Sequence, residues 1–142
     1  MWVVREGPAG GGPIALAVDG SPAGEKAIEF AFAEAALHGG EILAVHAWRP
    51  DYAPPGASPE SAERLLAQAL AGRAERYPDV RVRHEVLSGE PREALIETSR
   101  TTRLMVVGSR GRGGFTGLLL GSVSQALLHH GHCSVTVVGG KA

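Results

Sequence analysis

The chain has 142 residues, a length that suits one domain with a hydrophobic core needing neither disulfide nor structural metal. Its 14 basic and 15 acidic side chains leave a formal net charge of −1, so the overall charge gives no argument for binding nucleic acid or an anionic membrane, and any anion site must be local. No run reaches the roughly 18 apolar residues of a membrane span, and a single cysteine favours a reducing compartment. We therefore expect a cytoplasmic protein.

The amino-terminal segment differs in composition from the rest. It is rich in glycine and proline and lacks the apolar centre of a signal peptide. We expect residues 1–12 to form a flexible arm and residues 13–142 to form one domain. Elsewhere glycine and proline fall at the ends of periodic segments, where they mark boundaries between elements.

Five short apolar runs alternate with helical patterns, which is typical of repeated βαβ units and a parallel sheet. Four helices are predicted, and proline at the first helical position marks three of them. Serine precedes two of these prolines as a predicted cap. The strands are predicted at residues 14–18, 42–48, 80–87, 104–107 and 135–138, and the helix starts at Pro22, Pro59 and Pro91, with Ser21 and Ser58 as caps.

Side-chain patterns also predict the sheet order. Residues 14–18 and 104–107 are continuously apolar, as expected of central strands covered on both faces. Residues 80–87 alternate with charges, as expected of an edge strand. With right-handed crossovers, this predicts an open five-stranded α/β sheet of order 3-2-1-4-5 with helices on both faces. Asp19 and Gly108 then meet at the point where the strand order reverses, which is where such sheets bind ligands.

The segment after the fourth predicted strand has the chemistry of a phosphate site. It follows the pattern G-x2-G-x9-G-S at Gly108, Gly111, Gly121 and Ser122. Glycine lets an anion approach backbone N–H groups, and a following helix offers unpaired donors. The pattern is neither a P-loop nor a dinucleotide fingerprint. Ser122 also begins an S-x-x-Q capping box with Gln125, so a structural N-cap is an alternative to phosphate binding.

This spacing resembles the nucleotide-binding signature of the universal stress protein family, in its ATP-binding branch. Three further runs match that family in the same order along the chain: Val18-Asp19-Gly20-Ser21-Pro22, Val45-His46-Ala47-Trp48 and His129-His130-Gly131-His132-Cys133. The resemblance implies an adenine-nucleotide α-hydrolase-like, Rossmann-like fold. It also implies ATP as ligand, with Mg²⁺ held through the phosphates, and a homodimer formed through the strand from Val135 to Val138.

The resemblance also assigns roles to residues outside the glycine segment. Asp19 is expected to accept hydrogen bonds from ribose or adenine, although Asp-Gly-Ser-Pro is also strong turn chemistry. Val45 matches the position whose main chain meets adenine. Within the glycine segment, guanidinium chemistry would let Arg110 and Arg112 lend charge to phosphate, and solvated loop arginines are the alternative. The predicted binding residues are Ala17, Val18, Asp19, Val45, Gly108, Ser109, Arg110, Gly111, Gly121, Ser122 and Val123.

Neither a metal site nor a catalytic set is predicted. His129, His130 and His132 are interpreted as residues at a helix end, and Cys133 as a small buried thiol. The resemblance implies a stress-linked regulatory binding module with slow or no hydrolysis. Two alternatives remain: a nucleotide hydrolase or transferase, whose Ser-Gly-Gly-x-Asp-Ser loop is missing after the first strand, and a dimeric scaffold without ligand.

Two positions depart from the family pattern. Arg103 stands where similar proteins usually have Asp, and Ser134 stands where many have Pro. Neither position is expected to touch nucleotide. Because Ser134 adds an N–H to the last strand, the departure bears on dimer geometry.

Overall fold

The computed structural model describes residues 2–5, 12–19, 24–48, 58–108 and 121–139. This part of the chain forms six strands and four α-helices, with one short 3-10 turn at Ser99–Thr101. The strands are β1 (Trp2–Arg5), β2 (Ile14–Ala17), β3 (Glu41–Trp48), β4 (Arg81–Ser88), β5 (Leu104–Gly108) and β6 (Ser134–Val138). The helices are α1 (Glu25–His38), α2 (Pro59–Arg76), α3 (Pro91–Thr98) and α4 (Ser122–His130).

The strands lie in one sheet in the order β1-β6-β5-β2-β3-β4. All neighbours from β6 to β4 are parallel, so the predicted order 3-2-1-4-5 is confirmed for the five predicted strands. The predicted edge position of β4 is confirmed as well. Its charged side chains at Arg81, Arg83 and Glu85 are exposed, which discourages another chain from pairing with this edge.

A sixth strand lies at the opposite edge. No strand is predicted within residues 1–12, whereas the structure has β1 antiparallel to β6, with Trp2 opposite Val138 and Arg5 opposite Val135. Tryptophan and valine favour extended backbone, but a four-residue run has too little periodicity to predict a strand. The outer edge of β6 is therefore occupied. The expected two-fold pairing of Val135 to Val138 with a second copy requires that same edge.

The helix starts follow the predicted chemistry where they are described. Pro59 and Pro91 are the first residues of α2 and α3, as predicted. Ser58 caps α2 through a reciprocal pair of bonds: the Ser61 N–H donates to Ser58 Oγ at 3.2 Å, and the Ser58 N–H donates to Ser61 Oγ at 2.9 Å. The predicted start at Pro22 and cap at Ser21 lie outside the described residues.

The sheet separates two layers of core, which we call the first face and the second face. The first face packs against α1 and α2 and contains Leu16, Phe32, Ile42 and Leu66, all 0% exposed. The second face contains side chains of α3 and α4 and includes Met105 and Leu127. Helix α2 presents an apolar stripe to the first layer, since Ala62 is buried and Leu65 is packed against the same cluster.

Arg103 has a structural role at the carboxyl end of α1. Its guanidinium donates to the carbonyl of Gly39 at the carboxyl end of α1, at 2.5 Å. A cation there complements the negative end of the helix dipole, whereas Asp would oppose it. The backbone N–H of Arg103 also donates to the Pro13 carbonyl at 3.0 Å, which joins the starts of β5 and β2.

Candidate functional site

The candidate site begins where β2 and β5 end side by side. Leu16 of β2 pairs with Val106 of β5, so Asp19 and Gly108 leave the sheet at the same edge. Asp19 is three residues beyond Leu16, and Gly108 is two residues beyond Val106. Residues 89 positions apart in the sequence are thus brought to one end of the sheet by strand order alone.

Two hydrogen bonds fix the backbone just before Asp19. The Val18 N–H donates to the Val45 carbonyl at 2.9 Å, and His46 Nδ1 lies 2.7 Å from the Val18 carbonyl. Because a carbonyl only accepts, Nδ1 carries the proton in this bond. His46 therefore orients the strand end from which Asp19 leaves. Sequence reasoning included His46 only as part of the V-H-A-W run and assigned it no role.

Val45 lies within the sheet. Its carbonyl accepts from Val18, and its side chain is 1% exposed within the second face. Successive residues of a strand direct their N–H and C=O groups to opposite neighbours. Ala47 therefore points its main chain to the same side as Val45, past the end of β2. Ala47, which the sequence prediction did not include, is the next residue of β3 whose main chain faces that side.

A cavity of about 430 Å³ opens beside Asp19 on the first face of the sheet. Its walls come from the end of β2, the first turns of α1 and the amino-terminal half of α2. Apolar side chains cover one part of the wall and polar groups the other. The apolar lining includes Val18, Ile28 and Leu65, and the polar lining includes Asp19, Glu25, Ser61, Arg64 and Gln68.

Helix α4 begins on the opposite face, with Gly121 as its N-cap in extended backbone and with no side-chain cap bond. The alternative role of Ser122 as the N-cap of a capping box does not hold: Ser122 is the first residue of the helix, Gly121 is its cap, and Ser122 is exposed. Glycine has no side chain with which to satisfy the first N–H groups of the helix. This end of α4 therefore offers backbone donors and the positive end of the helix dipole.

Ser124 ties this helix start to the end of β5. Its hydroxyl donates to the Gly108 carbonyl at 2.7 Å, and the residue is 2% exposed. The bond fixes the first turn of α4 relative to the strand edge on which Gly108 and Asp19 lie. Sequence reasoning missed Ser124, because the signal was only a second serine in Ser-Val-Ser.

The structure brings together six of the predicted site residues at this edge: Ala17, Val18, Asp19, Gly108, Gly121 and Ser122. Val123 is half-buried against the second face. The predicted residues Ser109, Arg110 and Gly111 lie outside the described residues, as does Arg112.

The carboxyl-terminal histidines are exposed at the end of α4 and just beyond it. Cys133 is 2% exposed, 3.6 Å from Thr102 Oγ1, in agreement with a small buried thiol. Within the described ranges, no three His, Cys, Asp or Glu residues are grouped as metal ligands. None of the helices that the structure describes is long and apolar enough to cross a bilayer.

The sequence profile described as the universal stress protein family matches residues 12–139. A universal stress protein of Mycobacterium tuberculosis is 47% identical over 134 residues, covering 88% of this chain and 44% of the relative. One from Mycolicibacterium smegmatis is 46% identical over 132 residues, covering 89% and 45%. The chain thus spans less than half the length of these curated relatives.

Solved structures share the fold. A universal stress protein in complex with cAMP superposes with a TM-score of 0.72 at 21% identity, covering 92% of this chain and 98% of the other. One from Archaeoglobus fulgidus in complex with dAMP gives 0.64 at 22% identity, covering 90% and 96%. At this identity the likeness establishes the architecture.

Proposed function

Since the chain belongs to the universal stress protein family, we propose that it binds ATP across the carboxyl edge of its sheet, as a cytoplasmic regulatory module with slow or no hydrolysis. One observation carries the proposal. The adjacent ends of β2 and β5 place Asp19, beside an open cavity on the first face, next to the start of α4 on the second face.

The cavity suits the nucleoside half of the ligand. An adenine ring is flat and largely apolar with polar edges, and sites for such ligands combine apolar walls with a few placed polar groups. Ile28 and Leu65 supply apolar wall, and Asp19 lies at its polar rim. We assign the Asp19 carboxylate to the ribose hydroxyls, and the main chain of Ala47 to the polar edge of the base.

The start of α4 suits the phosphates. Gly121 provides no side-chain cap for its first N–H groups, and Ser122 is exposed at the first helical position. Phosphate at such a helix end gains hydrogen bonds and a favourable dipole. The accompanying Mg²⁺ would be held by phosphate oxygens. Glu25, the second carboxylate lining the cavity, is already paired with Arg73 at 2.5 Å.

Slow or absent turnover follows from the chemistry of the predicted residues. Efficient phosphoryl transfer combines a positioned base, a carboxylate that holds metal, and a charge clamp. Asp19 is the sole carboxylate among the eleven predicted binding residues, so it cannot fill two of these roles at once. The related structures with cAMP and dAMP support an adenine nucleotide as the ligand class.

Thermal-shift and calorimetric titration with ATP, ADP and AMP tests the proposal. Wild-type protein should show a saturable rise in Tm, which Gly121→Val should abolish. Gly121 has φ −67° and ψ 161°, a conformation that valine adopts readily, so this variant should fold and lose binding through its added bulk. Gly72→Val on α2 is the matched control, since a Cβ there meets nothing within 4 Å.

Two other outcomes would favour the alternatives. A Tm unchanged by any nucleotide, in protein freed of co-purified ligand, would favour the ligand-free scaffold. Sustained release of ADP in proportion to protein would favour the hydrolase.

We propose the homodimer through Val135 to Val138 only for a state in which β1 is not paired with β6, because both pairings use the same edge of β6.

A further inference from the structure

The three arginines of α2 have different surroundings. Arg73 donates to Glu25 at 2.5 Å and to Glu29 at 3.3 Å. Arg76 donates to Glu29 at 2.6 Å, and these ion pairs join α2 to α1. Arg64 instead lines the cavity on the first face, and within the described part of the chain it has neither a hydrogen bond nor an ion pair. An arginine in this position is suited to bind an anionic group of a ligand.

Arg64 lies on the part of α2 that extends toward the carboxyl edge of the sheet. The ion pair of Arg73 with Glu25 marks the level along α2 at which α1 begins. Arg64 is nine positions before Arg73, about 14 Å along the helix axis. Both helices follow the carboxyl ends of parallel strands and run in the same direction. The first half of α2 therefore extends past the start of α1, toward the edge from which Asp19 leaves.

Two donors on this wall are available to a ligand. Ser61 also lines the cavity, but its hydroxyl donates to the Ser58 carbonyl at 2.8 Å as part of the helix cap. Gln68 lines the cavity as well and has no hydrogen-bond partner among the residues that the structure describes. Arg64 and Gln68 are four positions apart, so their side chains are neighbours on one face of α2. Together they offer a guanidinium fork and an amide N–H₂ to one group.

The charges of the lining permit an anion at the α2 side of the cavity. The charged residues of the described lining are Asp19, Glu25 and Arg64. Glu25 is paired with Arg73, so its charge is already compensated. Asp19 belongs to the β2 wall and Arg64 to the α2 wall. A ligand that places a hydroxyl at Asp19 and an anion at Arg64 matches both walls.

A ribose bound at Asp19 carries its substituents in three directions. In the proposed complex, the base lies against the main chain of Ala47, and the 5′ phosphates lie at the start of α4 on the second face. The 2′ and 3′ hydroxyls face Asp19, which lines the first-face cavity together with Arg64. A group attached to either of these oxygens therefore enters the cavity toward α2.

We propose that this cavity is a subsite for a phosphate group on the 2′ or 3′ oxygen of the ribose, held by Arg64 and Gln68. The subsite rests on the proposed nucleotide site and narrows its preferred ligands to adenine nucleotides with a second phosphate on the ribose. Asp19 accepts from the hydroxyl that remains. Arginine–phosphate pairs are charge-assisted and bidentate. Ile28 and Leu65 line the same cavity, and apolar walls strengthen such pairs by lowering the local dielectric.

Isothermal titration calorimetry without Mg²⁺ tests the subsite with AMP, adenosine 2′,5′-bisphosphate and adenosine 3′,5′-bisphosphate. Wild-type protein should bind one of the bisphosphates at least about ten-fold more tightly than AMP, and the two probes show which oxygen carries the phosphate. Arg64→Gln should remove this preference while the affinity for AMP stays within about two-fold of wild type. Arg64→Lys should retain part of the preference, since lysine keeps the charge and loses the bidentate fork.

Arg81→Gln is the matched control. Arg81 is exposed at the first residue of β4, at the opposite end of the sheet, so this variant makes the same change of charge away from the cavity. It should leave the affinities for AMP and for both bisphosphates as in wild type. Because Arg64 is exposed and has no partner among the described residues, Arg64→Gln should keep Tm within about 2 °C of wild type.

The outcomes separate the subsite from the nucleotide site. Equal binding of AMP and both bisphosphates would overturn the subsite and leave the nucleotide site in place. A preference that survives in Arg64→Gln would also overturn the subsite, because the second phosphate would then be held elsewhere. Absence of binding by ATP, AMP and both bisphosphates would refute the proposed function itself, and the subsite with it.

Discussion

Two serines in the first turn of α4 should separate stability from nucleotide affinity. Ser124 is 2% exposed and donates to the Gly108 carbonyl at 2.7 Å. Ser122 is exposed at the first helical position. Because the two residues share one helix turn and one chemistry, Ser124→Ala and Ser122→Ala are matched changes with opposite expected results.

The cost of Ser124→Ala follows from its hydrogen bond. The bond itself contributes about 1 kcal/mol net, and leaving the Gly108 carbonyl without this donor raises the cost toward about 2 kcal/mol. In a domain of 142 residues, 1 kcal/mol corresponds to about 4 °C in Tm. We therefore expect Ser124→Ala to lower Tm by about 4–8 °C. Ser122→Ala should change stability by less than about 0.5 kcal/mol.

The affinity for ATP should show the reverse order, with the larger loss in Ser122→Ala. Ser122→Ala removes a hydroxyl that the proposed phosphate would accept from, so ATP affinity should fall about five-fold. Urea unfolding followed by circular dichroism measures the first effect, and isothermal titration calorimetry on each folded variant measures the second. If Ser122→Ala destabilised the protein as much as Ser124→Ala, Ser122 would be a structural cap and the described start of α4 would be wrong.

Three further changes test the packing that holds the site in place. Leu66→Ala, at a side chain 0% exposed, should cost about 3 kcal/mol in urea unfolding, whereas Leu37→Ala, 76% exposed, should cost almost nothing. The pKa of Glu29 is lowered by a hydrogen bond from the Tyr77 hydroxyl. A lowered carboxyl pKa stabilises the fold above its ordinary value of 4.5. The stability difference between wild type and Glu29→Gln should therefore be largest at neutral pH and shrink as the pH falls below 4.5 through the folded pKa. Arg103→Asp should lower Tm by opposing the dipole of α1, and Arg103→Lys should retain most of the stability.

Sequence patterns predicted the fold because the central and edge strands differ clearly in how many polar residues they contain. The run that begins at Ile14 contains no polar residue as far as Val18, whereas Arg81, Arg83 and Glu85 interrupt the apolar residues of β4. That contrast separates central from edge strands. Strand order then brings Asp19 and Gly108 to one edge without any knowledge of side-chain contacts.

The missed features depend on contacts through space. His46 reaches the Val18 carbonyl 28 residues away, and Ser124 reaches Gly108 across 16 residues. No local pattern encodes such partners. β1 is the clearest case, since its four residues form a strand only because the uncharged edge of β6 accepts them. The alternative of Ser122 as a cap stayed open in the sequence because an S-x-x-Q pattern cannot distinguish a cap from the residue after it.

β1 and the proposed site lie in one row of the sheet. Trp2 pairs with Val138, which in turn pairs with Gly108, so Trp2 lies two strand spacings, about 10 Å, from the proposed phosphate end. Gly108 is independently fixed by Ser124. Sites about 10 Å apart usually act independently to within about 0.5 kcal/mol, and here the coupling could pass only through Val138, which pairs with both. Replacing residues 2–5 with Gly-Ser-Gly-Ser should therefore change ATP affinity by no more than about two-fold. Isothermal titration calorimetry measures this change. A larger change would mean that Val138 transmits the pairing of β1 to Gly108, and that this pairing and nucleotide binding are thermodynamically linked.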